Sequence, residues 1–135
     1  MRKILLLLSL LFVALIGAEA RHIAGGEIFY EYLGPGGSPG TSQYRITLRL
    51  FRDCQSSGAQ LDQQASIAIF NKSNNQAVPG SPFSTNLDRI ETIQRTTGSL
   101  PCIINEPLVC YQMGFYFLNV TLADNAQGYW VAYQR

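Results

Sequence analysis

Histidine, tryptophan and lysine are nearly missing from this chain, and so is helical periodicity. Of 135 residues, one is histidine and one is tryptophan, and 14% are charged. Any Ser-His-Asp or Cys-His mechanism must therefore use His22, which sits where an exported chain would begin and where chains tend to be mobile. One histidine and three cysteines without a CxxC spacing also exclude the usual zinc combinations. The net charge of +1 leaves no basic face to replace phosphate counterions, which excludes nucleic acid as a partner. It equally gives no basis for binding an anionic membrane surface. Beyond residue 20, no stretch places apolar residues at helical spacing over ten or more positions, so a helical domain is excluded. The glycine-rich run 34–40 lacks the Gly-Lys-Ser or Gly-Lys-Thr of a phosphate loop. No enzyme activity, no cofactor and no metal are expected.

The first twenty residues read as a secretory signal peptide. Met1, Arg2 and Lys3 give a positive start, residues 4–16 are almost all Leu, Ile, Val, Phe and Ala, and Ala18 and Ala20 supply small residues for cleavage. At about 13 residues the apolar run is short of the roughly 20 that a membrane-spanning helix needs. The expected organisation is a signal peptide over 1–20 and one β-sandwich domain over 21–135, secreted or on the outer cell surface, with no membrane span in the mature chain. The leader holds two of the ten basic residues and one of the nine acidic ones, so the mature domain is formally neutral.

Period-two alternation recurs through the mature chain. Ile28, Tyr30 and Tyr32 share a face over 27–33, and Tyr44, Ile46, Leu48 and Leu50 share one over 41–53. Residues 66–70 form a short apolar strand. Residues 87–97 hold Ile90 and Ile93 out of strict register, which predicts an edge or bulged strand. Over 113–122, Tyr116, Leu118, Val120 and Leu122 alternate, and residues 124–128 read as a hairpin-type turn. Tyr129, Val131 and Tyr133 then face one way, with Trp130 and Ala132 opposite. Six or seven such strands with β-branched and aromatic residues predict an all-β, immunoglobulin-like β-sandwich. The last strand runs to Arg135 without a turn, so a sandwich truncated at its C-terminal edge is expected.

The cysteines are Cys54, Cys102 and Cys110, and an exported chain places them where disulfides persist. An odd number leaves at least one without an intrachain partner. The proline-containing segment between Cys102 and Cys110 can fold back on itself, which favours that pair and leaves Cys54 waiting. Asp53 and Asp62 flank a loop but follow no calcium spacing, and Asp53 is expected to accept backbone amides where its strand turns. Asn71-Lys72-Ser73 and Asn119-Val120-Thr121 match the N-glycosylation pattern. Tyr30, Tyr32, Phe115, Phe117, Tyr129, Trp130 and Tyr133 are candidates for an aromatic glycan platform, with Trp130, Tyr129 and Tyr133 foremost, against the commoner role of strand aromatics in a core.

The opening His22-Ile23-Ala24-Gly25-Gly26-Glu27, the strand end Phe51-Arg52-Asp53-Cys54, and Ala65 to Phe70 are joined by Pro101-Cys102, Val109-Cys110 and a final Gly128-Tyr129-Trp130-Val131-Ala132-Tyr133-Gln134-Arg135. On these motifs the chain resembles the N-terminal module of large secreted Bacteroidota proteins. Those proteins carry PKD or other immunoglobulin-like repeats and a gliding-motility-associated sorting domain. His22, Gly25, Gly26, Glu27, Arg52 and Asp53 are the positions that carry the likeness. Phe51 stands where the family has tyrosine, and Asp62-Gln63-Gln64-Ala65 where it has Asp-Asp-Pro-Ala. The resemblance implies a type IX secretion substrate linked to adhesion or gliding. It also implies a chain that continues into a Cys-Cys pair, putting a partner for Cys54 beyond Arg135. The function expected is a non-catalytic structural or interaction module of a secreted or surface-displayed adhesin-like bacterial protein. Its partner is an unknown protein or glycan at the cell surface. The alternative is a carbohydrate-binding module of a secreted protein.

Overall fold

A computed structural model of the chain describes residues 23–94 and 109–134. The signal segment, His22, Cys102 and Arg135 lie outside the described residues. The described chain is all-β, with six strands: β1 (Ile23–Pro35), β2 (Thr41–Asp53), β3 (Gln64–Asn71), β4 (Phe83–Gln94), β5 (Cys110–Ala123) and β6 (Tyr129–Tyr133). Every pairing is antiparallel, and the strand order is β1-β2-β5-β4-β3-β6.

β4 makes this sheet fold over on itself. Its first residues pair with β3, as in Ile67 opposite Phe83, and its later ones pair with β5, as in Ile90 opposite Gly114. The change of partner falls at a register shift between Leu87 and Arg89. A bulge bends its strand and increases the local twist, which lets β4 pass from one layer to the other. The expected bulge is present, and beyond it Arg89 to Gln94 pair with β5 alone, so this half of β4 has one unpaired side among the described residues. The sheet ends at β1 and β6. β4 comes between β5 and β3 in the strand order because its first half pairs with β3 and its second half with β5.

The two layers, β1-β2-β5-β4 and β4-β3-β6, close on one core. Ile46, Leu48 and Leu50 of β2 meet Ala65, Ile67 and Ile69 of β3, with Tyr116 and Leu122 of β5 and Leu61 from the preceding loop. Each strand residue is the inward member of a period-two pattern, Leu61 joins them from the loop before β3, and each fully buried aliphatic stabilises by roughly 1.5–3 kcal/mol. The Tyr116 hydroxyl donates to the Asp62 carbonyl at 2.7 Å, so this fully buried ring keeps its polar end satisfied. Thr85 likewise donates to the Phe117 carbonyl at 2.6 Å, tying the first half of β4 to β5. At Gly114 a Cβ would meet Leu61 at 2.9 Å and Leu87 at 3.1 Å, so glycine admits this packing.

The turn after β5 differs from expectation. Asn125 caps it, accepting from the Gln127 amide and donating to the Gly128 carbonyl. Yet β5 pairs with β2 and β4, while β6 pairs with β3. The segment is a crossing between layers and not a hairpin, because the strands it joins pair with different neighbours and not with each other.

Candidate functional site

Arg52 lies on the inner face of β2, two residues beyond Leu50, and is only 3% exposed. Its guanidinium donates to the carbonyls of Ser56, Gly58 and Ala59 and to the Gln112 side chain, at 2.8–3.2 Å. One buried cation thereby organises the whole loop after β2, its donors matched to four fixed acceptors. Asp53 accepts the Gln55 amide at 2.8 Å, the strand-end role expected of it. These motif residues build the scaffold.

Cys54 is bonded to Cys110, across 56 residues of sequence. This corrects the favoured Cys102–Cys110 pair and the search for a Cys54 partner beyond Arg135. The pairing of Asp53 with Tyr111 and the bond from the Cys54 amide to the Cys110 carbonyl hold the two cysteines side by side. Their Cα atoms are 5.4 Å apart. The bridge joins neighbouring strands of one layer, unlike the inter-layer bridge of antibody domains.

Glu27 begins a ladder across the outer face of the first layer. It accepts from Arg49 at 2.8 Å. The Arg49 guanidinium lies 4.6 Å from the Phe29 ring centre and 5.4 Å from that of Phe115, and Arg89 covers Phe115 from the other side at 3.9 Å. Phe115 is thus buried on a face that otherwise meets water. Gly26 faces inward against Leu50, where a Cβ would approach that side chain to 3.0 Å. Gly25 has open space and lies beside a shallow hollow with Phe51 and Tyr111.

The aromatic platform does not assemble as a single surface. Tyr129 and Tyr133 pack toward the core, whereas Trp130 projects from the other face of β6, 52% exposed, with the Lys72 ammonium 4.7 Å from its ring centre. Strict alternation along five residues puts them on opposite sides. The sequon asparagines hold structural bonds as well. Asn71 accepts from Ser73 and Asn125, and Asn119 accepts from Arg45.

Part of the wider aromatic set, joined by Tyr44, gathers at the opening between the sheet ends. Tyr30 and Tyr32 of β1 stand edge-on to Tyr44 of β2, at 6.1 and 5.7 Å between ring centres. Tyr30 and Tyr44, with Lys72, Tyr129 and Val131, border a cleft of about 240 Å³ floored by Ile46 and Leu122. Tyr129 donates to the Ala123 carbonyl at 2.6 Å. Burial, with Tyr44 and Asp124 nearby, raises its phenol above the usual tyrosine value. The sequence showed these tyrosines alternating on β1, but only the fold brings them to Tyr129.

Among the described residues no three His, Cys, Asp or Glu side chains cluster to hold a metal, and no helix is long and apolar enough to cross a membrane. No protein-family model, curated protein or solved structure matches the chain.

Proposed function

We propose that this chain is a non-catalytic interaction module of a secreted or surface-displayed, adhesin-like bacterial protein. One observation carries the reading. β1 presents Ile28, Phe29, Tyr30, Tyr32 and Leu33 to solvent along a strand with a partner on one side only among the described residues. An edge that is both apolar and unpaired is a liability unless something binds it. Export agrees with the leader at 1–20 and with a disulfide that requires an oxidising compartment. The motif likeness to gliding-associated surface proteins adds attachment as the setting.

Lys72 is the one lysine after the leader and is exposed, which gives a direct test. Intact producing cells are treated with a membrane-impermeant amine-reactive biotin, and the protein is recovered from cells and medium. Labelling at Lys72 on cells, or accumulation of the processed chain in the medium, is expected. Protein that is unlabelled and retained inside would end the reading. Beads coated with the mature chain should also adhere to cell surfaces, and Tyr30→Glu should reduce that adhesion.

A further inference from the structure

The two ends of the strand order, β1 and β6, face one another across the tyrosine-lined cleft. We propose that this seam is an acceptor groove for an extended polypeptide strand with alternating apolar side chains and an acidic residue at the end that meets Lys72. The inference rests on the interaction reading and names the chemistry of the partner; it does not depend on where the protein is displayed.

Three observations converge on a strand. The first is the backbone. Among the described residues β1 pairs with β2 alone and β6 with β3 alone, so each turns a row of amides and carbonyls away from its neighbour. Such a row selects another polypeptide backbone over a merely apolar cover. From Gly26 to Tyr32 the β1 ladder is regular, and its register shifts fall outside, at Ile23/Gly25 and Tyr32/Gly34. The middle of the edge is therefore straight. It carries no lysine or proline to turn an incoming strand away.

The second is the uncovered inner face. Ile28 and Tyr30 lie opposite Leu48 and Ile46, on the side of β1 that faces the second layer. Leu48 and Ile46 are covered, but Ile28 is 37% and Tyr30 72% exposed. Among the described residues the second layer ends at β6, across the cleft from them. A strand laid along the seam would send alternate side chains onto Ile46 and Leu122 at the cleft floor. Because every ladder is antiparallel, β1 and β6 run in opposite directions, so the incoming strand is antiparallel to one and parallel to the other.

The third is charge. Among the described residues, Lys72 is the one charged side chain bordering the cleft. Glu27 and Glu31 point to the outer face, where Arg49 and Arg45 answer them. Lys72 stands at the β6 end of the cleft, its amide donating to the Gly128 carbonyl at 3.1 Å and its ammonium 4.7 Å from the Trp130 ring centre at the rim of that strand. An acidic residue there pairs with it and sets the direction of the incoming strand.

The test uses the disulfide-bonded mature chain and a short fluorescein-labelled peptide alternating valine with threonine, carrying glutamate at one end. Saturable binding by anisotropy is expected, with slowed hydrogen exchange in β1 and β6. A proline at the central valine of the peptide should weaken binding by at least about tenfold. Tyr30→Glu should do the same while Tyr30→Phe binds normally, and the exposure of Tyr30 keeps both variants folded. Lys72→Glu should reverse the preference, so that a lysine-ended peptide outcompetes the glutamate-ended one. Equal binding of the proline peptide, an unchanged end preference in Lys72→Glu, or no binding would overturn the proposal. Displacement of the peptide by cellohexaose or chitohexaose would also overturn it and make the cleft a sugar site. A concentration-dependent dimer that blocks the peptide would assign the seam to a second copy of the chain instead. Failure here leaves the cell-surface labelling result untouched, so the two readings fail separately.

Discussion

Ile28 and Leu48 are cross-strand partners pointing to the same side of the same layer, yet their surroundings are opposite. Leu48 is 1% exposed and Ile28 37%. Both belong to alternating runs of similar apolar character. What separates them is the second layer: β3 covers β2 with Ile67 and Ile69, whereas on β1 the core reaches Ile23 and not Ile28. Alternation says which side of a strand is apolar; burial is conferred by the element on the other side of the core.

Substitutions can sharpen or break that contrast. The largest effect is expected at the staple of the covered half. Replacing Cys54 and Cys110 by alanine should lower unfolding free energy by about 4 kcal/mol, judged from the length of the closed loop and read by urea titration. Leu48→Ala comes next, at about 3 kcal/mol, because it opens a cavity between closed layers. Arg52→Met should cost about 1–3 kcal/mol and loosen the loop after β2, since the part-buried carbonyls at Ser56, Gly58 and Ala59 lose their donor. Local exchange at those residues would rise before global unfolding; if it does not, the loop is held by something other than Arg52.

A smaller effect is expected from pH. The Tyr129 phenol is raised in the folded state, so the folded chain holds that proton more tightly than the unfolded one. Its contribution is complete below the ordinary tyrosine value of about 10 and is lost as pH climbs through the raised one. Tyr129→Phe should flatten the stability curve in that alkaline window and leave neutral pH less affected by charge. Ile28→Ala should change stability least, by within about 0.5 kcal/mol. A loss near that of Leu48→Ala would mean that β1 is covered in the isolated chain, and the contrast would collapse.

The strands were legible because their alternation is strong. Residues 41–53 match β2 end to end, and the inward set Ile46, Leu48 and Leu50 is the set that packs. β4 was half legible. The disturbed register at Ile90 announced a bulge, but a bulge at an edge and one at a fold between layers leave the same trace. The Cys54–Cys110 bridge was misread because nearness in sequence favoured Cys102, whereas the pairing of β2 with β5 brings the distant cysteine alongside. Arg52 was flagged only as a motif residue. A charged residue at an inward position of a buried strand was the available signal, and its meaning depends on carbonyls from a loop whose path no local pattern reveals.

For this chain, local alternation, turn chemistry and composition determined that it is a β protein, which faces of its strands are apolar and where the chain bends. These depend on neighbours within a few residues. Strand order, the partner exchange in β4, the disulfide and the meeting of Tyr30 with Tyr129 at the seam were decided by tertiary structure alone. Each joins segments far apart in sequence, and which segments meet depends on how two layers share one core.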